Sequence, residues 1–266
     1  MGRGFCEKGV WYDSCSGRSV MPRHPRVASL TYAFGPGPIT PAVKYLLWAN
    51  IGMFLATSLY GPLREWLGLV PEYVIQRHWL WQPATYLFVH GGIVHILFNM
   101  LALWMFGVEL ERMWGTRFFV KYYAITGIGA GVLTVVVSLL PFPATRHVFG
   151  EITIGASGAI YALLIAFALY YPHRPILMFM LFPVPAKYFV MIIGAISFLN
   201  SASVNSRVAE FTHLGGLLIG YLYLKGGRGG FTAEIKYRYL KWKMNRLRRK
   251  FDVYSGGRSD WDRRVH

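Results

Sequence analysis

Three groups of polar side chains sit in otherwise apolar stretches, and their types and spacing define what chemistry the chain can do. The stretch EITIGASGAIYALL, 151–164, places Ser157 between Gly155 and Gly158, with Tyr161 one helical turn further on. The stretch HGGIVHILFNM, 90–100, carries His90, His95 and Asn99, and EFTHLGGLLIG, 210–220, carries Glu210 and His213 ahead of Gly215, Gly216 and Gly220. A serine hydroxyl becomes a nucleophile when a base takes its proton, and histidine is the side chain whose ordinary pKa suits that task near neutrality. Ser157 and His213 are therefore a candidate nucleophile and base. Gly155 and Gly158 leave the backbone beside the hydroxyl uncovered, so that a carbonyl can approach. The start of a helix at Ser157 would supply unpaired N–H groups for an oxyanion.

Each group also has a plainer reading. Small residues such as Gly, Ala and Ser let helices approach closely, so Ser157 alone reads first as a packing residue. A lone histidine in an apolar helix is commonly a hydrogen-bonded packing group. His95 and Asn99, spaced i and i+4, point the same way from a helix. They are either a polar helix-to-helix contact or two neutral donors for a developing oxyanion. The pattern is H-x4-H rather than H-E-x-x-H, and Glu210 is the one carboxylate or thiol near it, so no metal and no cofactor are expected. Glu210 precedes His213 by three residues and is expected to fall short of the far imidazole nitrogen, which leaves a Ser–His dyad. Gly216 and Gly220 form a G-x3-G spacing that permits close approach to the Gly/Ala side of the Ser157 helix. Tyr161 would then support the imidazole from beneath.

The elements that must position these groups are membrane helices. Of the 266 residues, 54% are hydrophobic and only 15% charged, against roughly a quarter charged in soluble domains. Mean hydropathy is positive, and aromatics at 17% suit interfacial belts. Six apolar runs approach the length of about 20 residues that a membrane helix needs: 45–60, 84–107, 118–140, 154–171, 188–199 (with a start as early as Ile176 possible) and 209–224. The expected fold is thus all-α, a polytopic bundle of six transmembrane helices. The predicted organisation is an N-terminal tail and linker over 1–40, a membrane domain over 41–226 and a basic C-terminal tail over 227–266.

Charge placement orients the bundle. With six spans, 24 of the 28 Lys and Arg residues fall on the side that holds both tails, and only Arg64, Arg77, Arg146 and Arg207 on the other. Both tails are therefore expected in the cytoplasm. The net charge of +16 collects at the chain ends, which favours anionic lipid over nucleic acid as partner. Residues 234–251 interleave Ile235, Leu240, Trp242, Met244, Leu247 and Phe251 with basic residues. They read either as an amphipathic helix on the lipid surface or as a solvated tail. Cys6 and Cys15 match no zinc spacing and read as free thiols in a reducing compartment. The polar N-terminus has no secretory h-region, so no signal peptide is expected, and Gly2 lacks a lipidation context. The oligomeric state is not legible.

Taken together, HGGIVHILFNMLALWMFG, GASGAIYALL and HLGGLLIGYL resemble, in order and spacing, the rhomboid intramembrane serine proteases, over roughly residues 40–225. The resemblance implies that Ser157 in the G-x-S-G of Gly155–Gly158 is the nucleophile and His213 the base. It implies that His95 and Asn99 lie on the oxyanion side with the Ser157 backbone N–H, that His90 is structural, and that Tyr161 supports the histidine. Glu111 and Gly115 would form a structural E-x3-G turn. One departure stands out: Trp81-Gln82 replaces the Trp-Arg often found in the loop between spans one and two, which puts that loop's salt links in doubt. The implied activity is hydrolysis of a peptide bond in or beside a transmembrane segment of a membrane-protein substrate. The minimal six-span plan points to a bacterial cytoplasmic membrane. Two alternatives are a catalytically silent rhomboid-like protein that binds membrane helices, and a small transporter or channel.

Overall fold

Proline and glycine divide the chain into its helices. In a computed structural model, the described residues are 4–5, 11–12, 35–142, 145, 148–178, 182–201 and 208–227. The chain divides into two units, 1–37 and 38–266. In the first, β1 (Gly4–Phe5) and β2 (Trp11–Tyr12) pair antiparallel. Gly2, Cys6, Cys15 and the basic stretch 234–251 lie outside the described residues.

In the second unit, α1 (Pro41–Leu59) opens with proline at its first position, where a missing N–H costs nothing. The first-turn amides of Ala42 and Val43 donate to the Glu111 carboxylate at 3.0 Å each, and the hydroxyls of Thr40 and Thr116 donate to it as well. One carboxylate thus caps α1 from another helix. Glu111 lies near the end of α5 (Ile93–Trp114), and Gly115, at φ +78°, makes the turn into α6 (Thr116–Ser138). The E-x3-G spacing is therefore a structural joint between three helices.

Between α1 and α5 the loop holds three short helices that the hydropathy pattern does not reveal: α2 (Pro62–Leu67), α3 (Pro71–Gln76) and α4 (Gln82–Thr85), each with proline in its first turn. Buried Gln82 joins them. Its Oε1 accepts from the Val70 N–H at 3.0 Å, and its Nε2 donates to the Glu65 carbonyl at 3.1 Å. The Trp81 indole donates to the Trp66 carbonyl at 3.0 Å and stacks on Trp79. A neutral amide therefore ties this loop together by hydrogen bonds, at the position where the departure from Trp-Arg put a salt link in doubt.

The remaining elements are α7 (Ser157–Tyr170), a hairpin of β3 (Pro175–Met178) and β4 (Phe182–Pro185), α8 (Ala186–Ser201) and α9 (Val208–Gly227). Expected boundaries shift in the second and fifth runs. The run 84–107 becomes helical in one piece only from Ile93, because Gly91 and Gly92 interrupt it, and it continues beyond 107 to Trp114. A start of the fifth run near Ile176 is not observed: Ile176 is in β3, and Pro183 and Pro185 delay the helix to Ala186. Each expected run contains a helix. Among the described residues, α1, α5 and α6 are long and apolar enough to cross a membrane, whereas α7 and α8 are apolar but shorter, at 14 and 16 residues.

The core lies where α6, α7 and α9 meet. The Tyr122 hydroxyl donates to the Ala162 carbonyl at 2.7 Å, and buried Thr134 and Thr212 share a hydrogen bond of 2.8 Å. A Cβ added to Gly216 would stand 2.0 Å from the Gly158 carbonyl oxygen. One added to Gly220 would stand 2.7 Å from the Tyr122 hydroxyl and 2.9 Å from Ala162 Cβ. The G-x3-G face of α9 therefore lies backbone-to-backbone on α7.

Candidate active site

Ser157 is the first residue of α7, and no side chain caps that helix. The first intrahelical bond is from the Ile160 N–H to the Ala156 carbonyl at 3.0 Å, so the N–H groups before it point out of the helix end. The preceding turn is held by the Gly155 N–H donating to the Tyr86 carbonyl at 3.0 Å, while the Tyr86 hydroxyl donates to the Gly127 carbonyl at 2.7 Å. Gly155 has φ +120°, which L side chains rarely adopt. A Cβ there would also stand 2.7 Å from His95 Nε2. Glycine is required at this position on both counts.

The close seam of α7 and α9 brings His213 to Ser157, with His213 Nε2 2.9 Å from Ser157 Oγ. Tyr161 lies flat on the imidazole, with ring centroids 4.2 Å apart and 4° between planes. Its hydroxyl is 3.4 Å from Ser197 Oγ on α8. Contrary to the expectation that Glu210 falls short, its Oε2 lies 3.4 Å from His213 Nδ1. The first turn of α9 lets the two flexible side chains lean together along one face. Nδ1 thus faces a carboxylate and Nε2 a hydroxyl, an arrangement that suits a proton on Nδ1 and an accepting Nε2.

His95 and Asn99 approach the same place from α5. A Cβ at Gly155 would stand 2.7 Å from His95 Nε2 and 3.8 Å from Asn99 Nδ2, so both nitrogens border this turn. The Gly91 N–H donates to His95 Nδ1 at 3.3 Å. That bond makes Nδ1 the acceptor and puts the ring proton on Nε2, facing the turn before Ser157. Asn99 Nδ2 donates one hydrogen to the His95 carbonyl at 2.9 Å and keeps a second. Two neutral donors and a helix N-terminus therefore converge beside the Ser157 hydroxyl. His90 is fully buried, donates through Nδ1 to the Phe88 carbonyl at 3.3 Å, and meets the His95 ring edge-on at 5.1 Å. It buttresses His95 and does not reach the serine.

Ser157, His213, His95, Asn99 and Tyr161 all line one cavity of about 920 Å³. Its remaining wall is apolar, with Phe98 from α5, Ile160 and Leu164 from α7, and Phe189 and Ile193 from α8. Among the described residues, no three His, Cys, Asp or Glu side chains converge as a metal site needs. Tyr86 and Ser197 are the neighbours that sequence reasoning missed. Tyr86 sits in an aromatic-rich stretch with no spacing to mark it. Ser197 had one signal, a hydroxyl within the apolar run YFVMIIGAISFL.

The Rhomboid domain pattern matches residues 77–227. The chain is 30% identical over 187 residues to the mitochondrial rhomboid protein 1 of Saccharomyces cerevisiae, covering 68% of this chain and 52% of that protein. It is 31% identical over 190 residues to the rhomboid protein YdcA of Bacillus subtilis, covering 68% of this chain and 86% of that one. It is also 34% identical over 131 residues to the rhomboid protease GluP of Bacillus subtilis, across 47% of this chain and 24% of that one. The chain spans about half the length of the first of these relatives. Helices of membrane-crossing length, the matched domain and the relatives together identify this chain as a membrane protein of the rhomboid family.

Proposed function

We propose that the chain is an intramembrane serine endopeptidase that hydrolyses peptide bonds in or beside transmembrane segments, working from a six-span bundle with both tails on the cytoplasmic side. The observation that carries this reading is the 2.9 Å approach of His213 Nε2 to Ser157 Oγ, inside a cavity that also holds His95 and Asn99.

Ser157 Oγ attacks the substrate carbonyl while His213 Nε2 accepts its proton. The oxyanion is held by the Ser157 N–H, the His95 Nε2–H and the second Asn99 Nδ2–H. The C–N bond then breaks, with His213 returning the proton to the leaving amine. Water, activated by the same imidazole, releases the acyl group from Ser157. Preorganised donors are worth most where water is scarce, and the apolar walls of the cavity supply that setting. A substrate helix hides its scissile carbonyl, so residues that weaken a helix are expected near the cut. The basic C-terminal tail is proposed to rest on anionic lipid. The membrane that houses the protein is proposed to be a bacterial cytoplasmic membrane.

A fluorophosphonate probe tests the assignment of the nucleophile. Covalent labelling of the native protein that disappears in Ser157→Ala is the expected result. No labelling of native protein, either in detergent or in liposomes, would contradict it and favour a silent membrane-helix binder.

A further inference from the structure

We propose that the loop between α1 and α5 binds a zwitterionic phospholipid, with the lipid's ammonium in an aromatic cup and its phosphate on Arg77. The cup has a volume of about 370 Å³ and lies beside the end of α1. Tyr60, Trp66 and Trp79 line it with Pro62 and Leu63, and Glu65 is the one charged residue among its walls. Trp81 holds the two indoles in place: its ring stacks on Trp79 at 5.5 Å and meets that of Trp66 at 5.6 Å. Aromatic rings attract organic cations, tryptophan most strongly.

Charge decides what the cup takes. The Tyr73 hydroxyl on α3 donates to Glu65 Oε1 at 2.6 Å, which leaves Oε2 to face a ligand. Among the described residues, no Lys, Arg or His forms an ion pair with Glu65, although Arg64 is its neighbour in sequence and the chain carries a net charge of +16. The Arg77 guanidinium lies 4.1 Å from the centre of the same Tyr73 ring and 5.5 Å from that of Trp79. Among the described residues, no carboxylate pairs with it. One anionic and one cationic group are thus each anchored on Tyr73 without neutralising one another. The complement of that arrangement is a ligand with an ammonium and a phosphate a few bonds apart.

A neighbouring groove points to a lipid rather than to a free headgroup. Val74 and Leu80, next in sequence to Tyr73 and Trp79, line a second, apolar cavity of about 270 Å³ with Ile128, Val132 and Val136 of α6. From Ile128 to Val136 the helix rises about 12 Å, enough for a stretch of acyl chain. Consecutive Cα atoms are about 3.8 Å apart, so one lipid spans cup and groove. Neither cavity shares a residue with the one at Ser157. Lipid binding here therefore stands whether or not the protein is a hydrolase.

The test is native mass spectrometry of the full chain in detergent, with dioleoyl phosphatidylcholine and dioleoyl phosphatidylglycerol titrated separately. Native protein is expected to retain one phosphatidylcholine. Glu65→Gln keeps the bond to Tyr73 but removes the charge, and Trp66→Leu removes an aromatic wall. Each should weaken phosphatidylcholine binding about 10-fold. Phosphatidylglycerol is the control, since the basic chain ends attract it on their own, and Glu65→Gln should not weaken it. Trp48→Leu removes an exposed tryptophan of α1 outside the cup and should leave phosphatidylcholine binding within about twofold of native. Glu65→Gln decides even where Trp66→Leu fails to fold. Native-like phosphatidylcholine binding by Glu65→Gln, an equal loss of both lipids in it, or a loss in Trp48→Leu as large as in Trp66→Leu would overturn the proposal. An aromatic belt without a site gives those results. Soluble phosphocholine separates the two sources of the headgroup: displacing the lipid should take about 100-fold more phosphocholine than phosphatidylcholine, because the acyl chains add buried apolar surface. Equal potency would overturn the assignment to a lipid.

Discussion

Where α7 meets α9, backbone lies against backbone: a methyl group on Gly216 would stand 2.0 Å from the Gly158 carbonyl oxygen, and Gly158 itself is pressed against Tyr86 and Thr212. Where α8 borders the same site, the contacts are long and few. Tyr161 meets Ser197 at 3.4 Å and Asn200 meets Glu210 at 3.5 Å, while Met191, Phe198 and Leu199 are exposed along the helix. The first wall has no room for adjustment and the second has room. The distance from Ser157 to His213 is therefore a property of the glycine seam, and the α8 flank acts on the site only through side-chain contacts.

That contrast can be broken most severely at the seam. Gly216→Val should force α7 and α9 apart, costing about 3 kcal/mol or more from overpacking against rigid backbone and abolishing probe labelling. Thermal unfolding in detergent reads the first effect; an unchanged midpoint with full labelling would contradict the seam argument. His213→Ala leaves the seam intact and removes the base. Turnover should fall by at least about 10³-fold with an unfolding midpoint close to native, and retained turnover would remove His213 from the mechanism.

Smaller effects sharpen the comparison. Asn99→Ala removes one oxyanion donor of three and should lower turnover by about 10- to 100-fold, as measured by initial rates of substrate cleavage. Loss of folded protein instead would show that its bond to the His95 carbonyl is structural. Tyr161→Phe keeps the ring on His213 and deletes only the long contact to α8. Turnover should change by less than about threefold, because a weak hydrogen bond contributes about 1 kcal/mol or less. A loss as large as that of His213→Ala would mean that the α8 side holds the imidazole as firmly as the seam does.

How much of this was legible in the sequence follows the same division. Short spacings carried the family: G-x-S-G, H-x4-H-x3-N and the histidine before G-x3-G are local patterns, and the match over residues 77–227 bears out the resemblance. The six apolar runs each contain a helix, since hydropathy reports burial in a nonpolar medium irrespective of partner. Interruptions were harder to place. Gly91 and Gly92 delay α5, and the prolines of β4 delay α8, because backbone conformation rather than hydropathy decides those ends. The helices α2, α3 and α4 are too short to leave a periodic signal. The reach of Glu210 to His213 was misjudged because spacing along a helix gives the direction of a side chain but not its rotamer. Tyr86 was missed because its carbonyl, a group that no residue type advertises, holds Gly155.

The central claim is that the Ser157–His213 pair cleaves peptide bonds of proteins within the bilayer. Its most direct test is incubation of the native protein and Ser157→Ala with a panel of single-span substrates in liposomes. The predicted result is cleavage in or beside the span of at least one substrate by native protein and none by the variant. Cleavage of no substrate by native protein, or equal cleavage by both, would contradict the account.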